Sequence, residues 1–78
     1  MRQVQSSHVR GVEYDEGLYV LRVEYKDGSI WEYDHVQPEE WQSLSYEIDS
    51  HGSIGHWLHV NIKAQKATHP FRCIREKE

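Results

Sequence analysis

The sequence predicts an α+β domain: a three-stranded antiparallel meander, two helices packed on one of its faces, and a short C-terminal strand. Three observations lead there. Residues 18–25 (LYVLRVEY) and 29–34 (SIWEYD) are rich in aromatic and branched side chains, and Lys26-Asp27-Gly28 separates them. After Pro38, the residues Trp41, Leu44 and Ile48 recur at i, i+3 and i+7, one apolar stripe of a helix. Ser53 then opens a second helical stretch with apolar positions Ile54, Trp57, Leu58 and Ile62.

The first strand reads as HVRGVEYD (8–15), with a turn at Asp15-Glu16-Gly17 and the second strand at 18–25. The next turn decides the register. A two-residue Asp27-Gly28 loop would set Trp31 opposite Glu24 and Tyr33 opposite Arg22. A three-residue loop closed by Gly28 in the left-handed conformation sets Trp31 opposite Val23 and Tyr33 opposite Leu21. Only the second register gathers Leu21, Val23, Tyr25, Trp31 and Tyr33 on one face, leaving Arg22, Glu24 and Glu32 on the other beside Ile30. Trp31 and Tyr33 therefore read as core; the competing reading is a stacking platform for bases.

Pro38 with Glu39 and Glu40 suits a helix start, because proline fits the first turn and acidic groups favour the positive end of the helix dipole. His51-Gly52 ends that helix. The second is expected to run from a Ser53 cap to about Lys63 or Lys66. HPFRCI (69–74) follows as the last strand, and from Arg75 onward the charged chain is expected to fray.

With 78 residues the chain makes one domain, residues 1–78, with an ordered core at about 5–74, near the size where a core alone barely suffices. Only 37% of residues are hydrophobic, so three tryptophans and five tyrosines must supply much of the buried area. A single cysteine, Cys73, excludes an intramolecular disulfide and fits a reducing cytoplasm. No apolar run approaches a membrane span or signal-peptide core, so no membrane association is expected.

The net charge of −4 is unevenly divided: +2 over residues 1–12, −9 over 13–49 and +3 over 50–78, where four of the six histidines also lie. Ser53-Ile54-Gly55 could hold an anion or simply cap a helix, the commoner use. His56, His59, Asn61, Lys63 and Lys66 follow, a basic face that is the best nucleic-acid candidate in the chain. His51, His56 and His59 have a spacing that could bring two imidazoles to zinc, but nothing supplies a third ligand, with His69 and Cys73 distant in sequence. No metal or other cofactor is expected, and Cys73 reads as a packed residue. No triad spacing or Gly-rich phosphate loop appears, so catalysis is not expected.

Several pieces match one pattern in order: Ser6-Ser7, Tyr14-Asp15, L-x-V-x-Y at 21–25, Asp27-Gly28, aromatic-x-aromatic at 31–33, Val36 with Pro38, Ser-x-Gly at 53–55, Trp57-Leu58, Ile62-Lys63 and Pro70-Phe71-Arg72. This set resembles the KTSC domain, the C-terminal extension of some lysyl-tRNA synthetases and also a stand-alone domain of small bacterial and phage proteins. The family's central Y-x-Y stands here as Trp31-Glu32-Tyr33, and its aromatic-Asn pair as Leu58-His59. The resemblance implies no established catalytic role, and RNA binding by association with a synthetase.

Two functions are therefore expected to compete. One is a binding module for RNA or another nucleic acid, using Ser53, Gly55, His56, His59, Lys63, Lys66 and Arg72, with Arg10 or Arg22 contributing. The other is a protein–protein module, such as a phage accessory or host-modulating protein, that uses the acidic surface of residues 13–49 or self-associates acidic face to basic face.

Overall fold

The computed structural model describes residues 1–76. Five strands form one antiparallel sheet in sequence order: β1 (Arg2–Gln3), β2 (Val9–Asp15), β3 (Val20–Tyr25), β4 (Ile30–Tyr33) and β5 (Phe71–Arg75). Two helices, α1 (Pro38–Asp49) and α2 (Ile54–Leu58), lie between β4 and β5. The α+β class stands, but the sheet is larger than the predicted three strands plus one. The added strand is β1, which pairs Arg2 with Val12 and Gln3 with Gly11. It is too short to carry a sequence signal.

The β3–β4 hairpin follows the three-residue loop. Gly28 has φ 94°, a left-handed conformation that suits glycine. Tyr25 N–H donates to Ser29 O (2.9 Å) and Gly28 N–H to Tyr25 O (3.0 Å). Val23 consequently faces Trp31, and Leu21 faces Tyr33. The β2–β3 turn differs from expectation, because Leu18 and Tyr19 belong to it rather than to β3. Asp15 Oδ1 accepts from the N–H groups of Gly17 and Leu18, and Tyr19 takes φ 56°.

Pro38 occupies the first turn of α1, where Glu40 Oε1 accepts from Gln37 N–H at 3.0 Å. His51, with φ 59°, turns the chain out of the helix, and Gly52 N–H donates to Glu47 O. Ser53 caps α2 as expected, its Oγ accepting from His56 N–H at 3.2 Å. The second helix is shorter and less regular than predicted: after Leu58 it widens into a single π-type turn, His59–Lys63, and stops at Ala64. Lys66 lies in the turns beyond it.

Alternation separates the sheet into two unlike faces. On the helix side, Val12, Val23, Trp31 and Cys73 form one cross-strand row, and Tyr14, Leu21, Tyr33 and Phe71 the next. Leu44 of α1, Ile54, Trp57 and Leu58 of α2, and Ile62 close over these rows and are buried with Val9, Val12, Leu21 and Val23. Each such side chain fully buried contributes about 1.5–3 kcal/mol. Trp57 Nε1–H donates to Ser43 Oγ (3.1 Å), tying α2 to α1. Trp41 stacks on Tyr14 at 5.4 Å, and the Tyr14 hydroxyl donates to Val36 O.

The opposite face carries a row of alternating charge across four strands: Glu13, Arg22, Glu32 and Arg72. Glu13 Oε2 lies 3.1 Å from Arg22, Arg22 Nε lies 2.5 Å from Glu32, and Glu32 Oε1 lies 2.7 Å from Arg72. Arg72 also meets Asp34 at 2.9 Å. Arg75 is not frayed: its Nε donates to Gly28 O at 2.7 Å and its guanidinium pairs with Glu24.

Candidate functional site

The helices leave part of the apolar sheet face open beside β5. A groove of about 520 Å³ runs there, with Tyr25, Trp31, Tyr33 and Phe71 among its walls. Alternation in three neighbouring strands supplies these rings: Tyr25 ends β3, Trp31 and Tyr33 come from β4, and Phe71 opens β5 opposite Tyr33. Tyr33 is buried, Trp31 half-buried, and Phe71 is 48% exposed. The Trp31 and Phe71 rings lie 5.6 Å apart, those of Tyr33 and Phe71 6.2 Å. Both rings of the aromatic pair line the groove, but Tyr33 belongs to the core while Trp31 is packed against it.

Cations frame these rings. Lys26, Lys63 and Lys66 line the groove, with Ser7 and His8 at hand. The Lys63 ammonium sits 4.7 Å from the centre of the Tyr25 ring, a cation–π contact. Among the described residues Asp27 is the one acidic side chain on the lining, and its Oδ1 accepts from the Ser29 backbone N–H and hydroxyl. The Tyr25 and Tyr33 hydroxyls meet at 2.9 Å. Burial pushes both phenols above the usual tyrosine range, and the contact with Tyr33 adds to the rise at Tyr25. Both therefore stay neutral and polar near pH 7.

The residues expected to bind nucleic acid do not share one place. Lys63 and Lys66 line the groove. Ser53, Gly55 and His56 line an adjoining basin of about 370 Å³ that shares Ser7, His8, Tyr25 and Lys63 with it. His59 is exposed and lines neither space. Arg72 does not join them: it projects from the other face of the sheet and pairs with Glu32 and Asp34. Arg22 lies in the same charged row, and Arg10 contacts Glu24 and Lys26 O. Sequence reasoning missed Tyr25, Phe71, Lys26 and His8 as members of the site. For Phe71 the signal was present: alternation from Phe71 through Cys73 sends Arg72 to the opposite face.

The histidines do not gather. Among the described residues, no three His, Cys, Asp or Glu side chains are grouped to hold a metal ion. His69, 3% exposed, is fixed between Asp34 O (Nδ1, 2.9 Å) and Glu40 Oε2 (Nε2, 2.8 Å), where it ties the approach to β5 to α1. Among the described residues, no helix is long and apolar enough to cross a membrane.

The sequence model of the KTSC domain matches residues 5–65. The chain belongs to the KTSC domain family. An uncharacterized protein of Stutzerimonas stutzeri (strain A1501) is 41% identical over 49 residues, covering 63% of this chain and 68% of that protein. The KTSC match spans β2, β3, β4 and both helices and includes Lys63, but it stops before Lys66 and β5. In this KTSC domain the Phe71 side of the groove therefore comes from chain beyond the matched region.

Proposed function

We propose that this KTSC domain is a non-enzymatic module that binds single-stranded nucleic acid, RNA foremost, in the groove between β5 and the end of the second helix. One observation carries the reading: Trp31, Phe71 and Tyr25 share a groove of about 520 Å³ with Lys26, Lys63 and Lys66. Rings that offer a face to bases, bordered by ammonium groups that can meet phosphates, are the two parts of a single-strand site. Net charge does not oppose this, since Glu13, Glu24 and Glu32 take part in ion pairs on the far face of the sheet. A labelled single-stranded RNA titrated by fluorescence anisotropy tests it. Affinity should fall steeply with salt, and Lys63→Glu with Lys66→Glu should abolish it. Absence of binding at low salt to any RNA or DNA tested ends the reading.

The second reading, a protein partner or self-association, is favoured by β5. This strand lies at the edge of the sheet and exposes Phe71 and Ile74, as a strand-pairing surface would. Concentration-dependent mass in light scattering, unaffected by nuclease, supports it; a monomer at all concentrations argues against self-association.

A further inference from the structure

The basin beside the groove has a chemistry of its own. Ser6 Oγ accepts from the backbone N–H groups of His8 and Val9, and Ser53 Oγ accepts from that of His56. Each hydroxyl oxygen is held by those bonds while its proton remains available to a ligand. Gln5, Ser7, His8, Tyr25, His56 and Lys63 add to the polar lining, and Val9, Ile54 and Leu58 form its apolar part. Among the described residues, no Asp or Glu lines this basin. Hydroxyl donors, two imidazoles and an ammonium without a competing carboxylate select an anion rather than a cation or a neutral group.

We infer that the basin seats a phosphate group, next to the ring-lined groove with which it shares Ser7, His8, Tyr25 and Lys63. The inference rests on the nucleic-acid reading for the phosphate's source, a strand whose bases lie against Trp31 and Phe71; the seat itself requires only phosphate. A strand would then need both a base and its neighbouring phosphate to fill the two spaces.

The test is an NMR titration of the full chain with inorganic phosphate against chloride at matched ionic strength and fixed pH. Saturable shifts at His8, Ser53 and His56, lost in the double variant His8→Gln, His56→Gln, are expected. Both histidines are exposed, so the double variant should keep the fold. The same variant should bind single-stranded RNA about tenfold more weakly, the size of a lost charged hydrogen bond. Shifts no larger than with chloride, or shifts unchanged in the variant, overturn the phosphate seat. RNA binding that survives that result leaves the groove reading intact. Phosphate binding without any RNA binding keeps the seat and removes the strand.

Discussion

The Lys63 ammonium lies 4.7 Å from the centre of the Tyr25 ring, on the wall that the groove and the basin share. The π-type turn His59–Lys63 ends at this lysine, so the widened last turn fixes where the charge emerges. Among the described residues Lys63 joins no ion pair, and it lines both spaces.

Lysine contacts set the salt dependence. Lys66→Ala should lower the slope of log affinity against log salt by about 0.7, one single-strand phosphate contact. Lys63→Ala should do the same and also forfeit the ring contact, about 0.5–1 kcal/mol at an exposed site. Affinities measured across a salt series check both. Unchanged slopes would place the phosphates elsewhere.

Phe71 tests stacking. It is 48% exposed, so Phe71→Ala should fold, and loss of a base-stacking ring costs about 1–3 kcal/mol of binding. Calorimetry with a short single-stranded RNA reads that loss. An affinity within twofold of the parent would mean that no base rests on Phe71.

The Lys26–Gly28 loop is a stability test. Gly28→Ala places a Cβ at φ 94° and should destabilise the domain by about 1–2 kcal/mol, seen in urea unfolding. A neutral result would mean that the hairpin adopts another turn.

The phenols set an alkaline limit. Burial raises both the Tyr25 and Tyr33 pKa above that of an open-chain tyrosine. Their stabilising effect is complete below about pH 10, where both states keep the proton, and fades above it as the unfolded chain ionises first. The melting temperature should drop as pH rises above about 10. In Tyr25→Phe with Tyr33→Phe the drop should be smaller. An equal drop in that variant would assign the alkaline loss to other groups.

The core-forming register was legible in the sequence because one test decides it: only the three-residue loop puts Leu21, Val23, Trp31 and Tyr33 on one face. Leu18 and Tyr19 were misread as strand because propensity favours it, whereas the Asp15 carboxylate bonds and the Tyr19 backbone form the turn. Lys63 and Lys66 were legible as cations, but their surroundings were not. The groove exists because β5 pairs with β4 and brings Phe71 beside Tyr33, a long-range contact without a local signature. Arg72 was misplaced for a simpler reason, since period-two alternation was applied to 28–34 and not to 71–75.

The most direct measurement is an NMR titration of the labelled domain with a short single-stranded RNA at low salt. Saturable shifts should centre on the Trp31 indole N–H and on Tyr25, Lys63, Lys66 and Phe71, leaving Glu13, Arg22 and Glu32 unmoved. No shifts at low salt, or shifts centred on that charged row, would contradict the groove as a nucleic-acid site.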